Sequence, residues 1–167
     1  NPLPESAPLP FIKVCGITRA QDALLAIKLG ARFIGLIITR KSPRHIAPDA
    51  ARLLLAEVRA RAATPFLPVG VFVDEPPEEI GAIARDLELA AVQIHGTPDE
   101  EEVARHIGVP VVRAVRVGGP NSDAAIAAAQ HLGPVLLDTF VEGQHGGTGK
   151  VFDHSLAIPA IKRGPVW

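Results

Sequence analysis

The 167-residue sequence predicts an α/β fold of the (β/α)8 barrel type, with about six βα units present and the C-terminal ones missing. Three observations carry that expectation. Six short runs rich in Val, Ile, Leu and Ala alternate with helical patterns, at 11–15, 33–38, 67–73, 90–94, 111–117 and 135–139. Nearly continuous apolar character of this kind suits parallel strands buried on both faces. The ends of the last four runs, at Val73, Ile94, Arg116 and Asp138, are 21, 22 and 22 residues apart, the regular recurrence of a β-α repeat. Polar side chains then gather at the C-terminal ends of the runs (Cys15, Thr39-Arg40, Asp74, His95, Arg116 and Asp138), where a barrel carries its active face. An open doubly wound sheet is the competing architecture. No Gly-x-Gly-x-x-Gly follows the first run, which weakens its dinucleotide-binding form.

Taken in order, residues 1–10 hold four prolines and no apolar periodicity, and read as a poorly ordered lead. They lack the basic and apolar regions of a signal peptide. Residues 11–167 read as a single barrel domain. The first run ends on Cys15, and Gly16 breaks it. Thr18 and Gln21 have the spacing of a capping box, which predicts a helix over 20–29 that Gly30 closes. Pro48-Asp49 and Pro76-Pro77-Glu78-Glu79 predict two further helix starts. Thr97-Pro98-Asp99-Glu100 offers an N-cap, an N1 proline and an N3 acid to the fourth helix. After 135–139 come a glycine-rich loop, a weak helix around 152–161 and the ending Gly164-Pro165-Val166-Trp167. A barrel needs eight strands to remove its edges, and six with the start of a seventh are visible.

Composition bounds the partners. With 47% hydrophobic and 21% charged residues the chain can build one core. A net charge of −1 gives no polycationic footprint for nucleic acid or an anionic membrane. The apolar runs are far shorter than a transmembrane helix. A single cysteine excludes an internal disulfide and suits a reducing cytoplasm. The sequence has no methionine and begins at Asn1, so the native start is expected to lie elsewhere.

Two groups have the chemistry of a base and an acid. Cys15 reads in bland terms as a small buried apolar residue. Its place at a strand end, beside a glycine turn and a helix start, favours the thiolate, which serves as nucleophile or general base. Asp138 ends an apolar strand with one carboxylate at its tip, either as a loop-structuring group or as a general acid facing the same mouth. Lys41-Ser42-Pro43-Arg44 is an ordinary solvated loop or an anion site, because an arginine fork grips a carboxylate at two points. Gln93 and His95 alternate on one strand and therefore point to one side. Gly143–Lys150 departs from a phosphate loop at Gln144 and Val151, so a glycine-rich lid is the better reading. The six histidines show no paired metal spacing, and no metal is expected. Glu100–Glu102 and His106 read as a helix start and its solvated face.

Six blocks together resemble the phosphoribosylanthranilate isomerase family, TIM-barrel enzymes of tryptophan biosynthesis. They are Lys13-Val-Cys-Gly-Ile-Thr18, Lys41-Ser-Pro-Arg-His-Ile46, Val69-Gly-Val-Phe-Val73, Val92-Gln-Ile-His-Gly96, Leu136-Leu-Asp-Thr139 and Gly146-Gly-Thr-Gly-Lys-Val-Phe-Asp153. They stand in the family's order across nearly all of 11–153. The resemblance implies an Amadori rearrangement of N-(5-phosphoribosyl)anthranilate without a cofactor. By that similarity Asp138 is the general acid and Cys15 the general base, while Arg44 holds the anthranilate carboxylate. Gln93 and His95 line the pocket, and Gly147 and Gly149 contact substrate from the lid at 146–150. It also implies a cytoplasmic monomer or homodimer with a small phosphorylated substrate and neither nucleic acid nor membrane. The family's phosphate site belongs to its seventh and eighth strands, so the chain as given is expected to bind substrate poorly. Two other readings stand beside this one: another phosphate-binding barrel enzyme, and a non-catalytic barrel fragment that works only when complemented.

Overall fold

The computed structural model describes residues 11–96, 98–118, 121–139, 155 and 157–167. The expected lead at 1–10, Thr97 and the glycine-rich loop with Gly147 and Gly149 lie outside the described residues. Strands and helices alternate as the apolar runs require. The strands are β1 (Ile12–Cys15), β2 (Ala31–Ile37), β3 (Leu67–Val73), β4 (Ala91–His95), β5 (Val111–Val117) and β6 (Val135–Thr139). The helices are α1 (Ala20–Lys28), α2 (Pro48–Arg61), α3 (Pro77–Asp86), α4 (Glu100–His106), α5 (Ser122–Gln130) and α6 (Ala157–Arg163). Thus the weak helix expected around 152–161 is described from 157 to 163.

All six strands are parallel and lie side by side in chain order. A doubly wound sheet reverses its strand order at a switch point; this sheet never does, which is the path of a barrel. It also curls. In a flat sheet β1 and β4 would stand about 14 Å apart, at roughly 4.8 Å per strand, with side chains perpendicular to the sheet. Yet Lys13 of β1 donates directly to the Gln93 side chain of β4. The far end folds inward too: Val166 bridges Val135 of β6, and the Trp167 ring lies 4.7 Å from Phe33 of β2. The result is six βα units of a curled partial barrel.

Register assigns the two faces. Cys15 pairs with Gly35, Gly35 with Val69, and Val69 with Ala91, two residues before Gln93. Gln93 pairs with Val112, and Arg116, four residues further along the same strand, pairs with Asp138. Paired residues of parallel strands face the same way, and so do residues two apart. Lys13, Cys15, Gln93, His95, Arg116 and Asp138 therefore share the inner face. The outer face carries Ile34, Leu36, Phe72, Val92 and Ile94, all buried in the core beneath α1–α4. A smaller cluster of Val115, Val117, Val135, Ile126 and Ala160 seats α5 and α6.

Two helix starts differ from expectation. Arg19, not Thr18, is the N-cap of α1, and its side chain makes no cap bond. Instead its guanidinium grips Asp22 at 2.8 and 2.9 Å, so the first turn is held by an ion pair in place of a capping box. In α4 the cap falls two residues later than Thr97. Asp99 Oδ1 accepts from the Glu101 and Glu102 amides at 2.9 and 3.3 Å, which a carboxylate two residues after Thr97 is better charged to do. Asp99→Ala is expected to destabilise the fold by about 1 kcal/mol in denaturant titration; no change would remove the cap assignment. Nor is Glu100 simply solvated: it receives both Nε and Nη2 of Arg113, tying α4 to β5.

Candidate active site

The first turn sets the site. Gly16 has φ of +84°, and its amide and that of Ile17 both donate to the Gly35 carbonyl, at 3.0 and 3.1 Å. A side chain at Gly16 would be strained by that φ and would also meet Arg44, whose Nη1 lies 2.8 Å from the position of an added Cβ. The turn leaves the half-buried Cys15 on the inner face at the strand end.

Arg44 reaches this turn from the loop after β2. Ile46 donates to the Ile37 carbonyl at 2.9 Å, His45 to the Ser42 carbonyl at 3.1 Å, and the Arg44 amide to Ser42 Oγ at 3.2 Å. The loop is thereby folded back along β2, and Arg44 Nη1 donates to the Cys15 carbonyl at 3.3 Å. The guanidinium remains exposed. Its basic neighbour has a different duty: Lys41 Nζ pairs with Asp74 Oδ2 at 2.7 Å, linking this loop to the end of β3. Of the basic pair in Lys41-Ser42-Pro43-Arg44, the arginine is the one placed on the Cys15 turn.

Below Cys15 the inner face holds a polar chain. Lys13 donates to Gln93 Oε1, and Gln93 Nε2 lies 2.8 Å from His95 Nε2. Gln93 is buried and His95 half-buried. Burial holds the Lys13 ammonium below its ordinary range, while the charge and hydrogen bonding of Cys15 pull it back up. The sequence reading found Gln93 and His95 by their alternation but missed Lys13. The same period-two rule pairs Lys13 with Cys15 and would have found it. On the far side, Asp138 is half-buried at the tip of β6, in register with the exposed Arg116. No cluster of three or more metal-ligating side chains occurs among the described residues, and no helix there is long and apolar enough to cross a membrane.

A curled parallel sheet with polar side chains at the strand C-termini defines the class: a barrel enzyme of (β/α)8 type. Comparison identifies the family. The model described as N-(5'phosphoribosyl)anthranilate (PRA) isomerase matches residues 12–162. The chain belongs to that family. It is 40% identical over 161 residues to the N-(5'-phosphoribosyl)anthranilate isomerase of Herminiimonas arsenicoxydans, covering 89% of this chain and 68% of the relative. The same enzyme of Stutzerimonas stutzeri is 43% identical over 155 residues, covering 90% and 71%. Among solved structures, phosphoribosyl anthranilate isomerase from Thermotoga maritima superposes with a TM-score of 0.82 at 34% identity, over 95% of this chain and 75% of that one. A phosphoribosyl anthranilate isomerase in complex with reduced 1-(o-carboxyphenylamino)-1-deoxyribulose 5-phosphate gives 0.76 at 31% identity, covering 95% and 74%.

Proposed function

We propose that the chain catalyses the Amadori rearrangement of N-(5-phosphoribosyl)anthranilate to 1-(2-carboxyphenylamino)-1-deoxyribulose 5-phosphate, with Asp138 as general acid and Cys15 as general base. The observation that carries the assignment is the Arg44 guanidinium 3.3 Å from the Cys15 carbonyl. An anthranilate carboxylate gripped there sits next to the thiol, with the sugar extending over the inner face toward Asp138. Asp138 gives its proton to the furanose ring oxygen, and the bond from C1 to that oxygen breaks to leave an iminium. The Cys15 thiolate takes the proton from C2, whose electron pair moves into the C1–C2 bond as an enolamine. Tautomerisation gives the ketone. The rearrangement exchanges no electrons with a partner, so an acid, a base and an anion clamp suffice and no cofactor enters the reading.

Gln93 and His95 line the floor of the pocket in this reading, and Gly147 and Gly149 are further substrate contacts. A cytoplasmic monomer or homodimer belongs to the same reading, and a Thermotoga maritima relative is described as a dimeric enzyme. The direct test is incubation of the whole protein with N-(5-phosphoribosyl)anthranilate and chromatographic detection of the ketose. Conversion no faster than without protein overturns the proposal.

Arg44→Ala is expected to raise KM about 10- to 100-fold with a smaller effect on kcat, since a charged hydrogen-bonded contact contributes about 1.5–3 kcal/mol. The proper control is Arg61, whose exposed pair with Glu57 on α2 is worth little. Arg59, although exposed on α2, is not a neutral control. Its Nη2 donates to the Leu87 carbonyl at 2.8 Å and ties α2 to the end of α3. Equal, small effects at Arg44 and Arg61 would remove the clamp.

A further inference from the structure

We propose that Lys13 is a positioning residue of this site: its ammonium orients the Gln93 amide, and through it fixes the tautomer of His95. The proposal deepens the reading above and rests on it for the place of His95 on the pocket floor. Three observations support it. Lys13 and Cys15 are two residues apart on β1 and share the inner face. Lys13 Nζ donates to Gln93 Oε1 and lies 5.4 Å from the centre of the Trp167 ring, so its head has two partners. Gln93 Nε2 lies 2.8 Å from His95 Nε2.

The donor inventory makes this a directed chain. An ammonium only donates, so the Gln93 oxygen must face Lys13. The Gln93 amide nitrogen then faces His95, and it too only donates. His95 Nε2 must therefore accept, which leaves the ring proton on Nδ1. Reversing the histidine tautomer would require the amide to turn over and lose Lys13. Among the described residues, the other charged or titratable groups at the inner face and its mouth are Cys15 on β1, Arg44 over the Cys15 turn, Arg116 on β5 and Asp138 on β6.

In Lys13→Met the Gln93 amide loses the donor that orients it, so nitrogen-15 correlation spectra are expected to show His95 as a mixture of the two neutral tautomers. A His95 ring that stays protonated on Nδ1 alone in that variant overturns the role of Lys13. Nitrogen-15 correlation spectra of the unaltered protein should show His95 protonated on Nδ1 and bare on Nε2. A proton on Nε2 overturns the relay, and this measurement stands even if Lys13→Met does not fold. Neither readout uses turnover. Turnover that survives loss of the thiol would sink the base assignment and leave both intact.

Discussion

Cys15→Ser is expected to lower kcat about 10²- to 10⁴-fold, and Asp138→Asn to give a loss of the same order, in the full-length protein with its fold preserved. The size follows from the roles proposed for the two groups. A general acid or base placed at the reacting atoms contributes that much, because the proton moves within the transition state and not before it. Serine keeps the shape of cysteine but offers no appreciable alkoxide near neutral pH, so the C2 proton has no acceptor. Asparagine keeps the shape of aspartate and has no acidic proton for the ring oxygen. Both side chains are half-buried at strand ends outside the helix-facing cores, so neither change opens a cavity there. If the two groups act in one rearrangement, the double substitution should lose far less than the product of the single losses. Steady-state kinetics and a thermal melt on the same samples decide the matter. Wild-type kcat in either variant would end that residue's assignment.

How much of this was legible in the sequence depends on range. The strands were readable because their apolar character is local, and their order followed from the even β-α spacing. The Cys15 and Asp138 positions were readable as strand tips, since a polar residue ending an apolar run is conspicuous. Helix starts were less legible. Thr18 and Gln21 match a capping box on spacing alone, yet Arg19 and Asp22 form an ion pair there instead, and spacing does not rank such rivals. The fate of the basic loop was not legible at all. Which of Lys41 and Arg44 meets Cys15 depends on Asp74, 33 residues downstream of Lys41. Similarly, the bond from Lys13 to Gln93 spans 80 residues and exists only because the sheet curls. Long-range pairing is where pattern reading stops and geometry begins.

Gly35 shows the same limit, and it carries the second large expectation. In sequence it is one glycine inside an apolar strand, which signals only a bulge or a close approach. In the structure it is the space the thiol occupies. A Cβ added at Gly35 would stand 2.7 Å from Cys15 Sγ and 3.0 Å from Cys15 Cα. The sulfur could swing away, but the backbone Cα cannot do so without parting β1 from β2. The Gly35 carbonyl also accepts both amides of the Cys15 turn, so parting the strands loosens the site itself. Gly35→Ala is therefore expected to lower kcat by about 10²-fold, the effect of a displacement near 1 Å at a reacting group. It should also cost about 1–3 kcal/mol of stability from overpacking, partly offset because alanine is the better strand residue by about 0.5–1 kcal/mol. Gly108, with open space around it, is the matched control, and alanine there should leave kcat unchanged. Kinetics and denaturant titration of both variants separate the outcomes. Lost stability with unchanged kcat would mean that the strands can spread without moving the reacting thiol, or that the thiol does not react. Lost kcat with retained stability would place the whole effect on the sulfur, which is what a base held against a bare backbone requires.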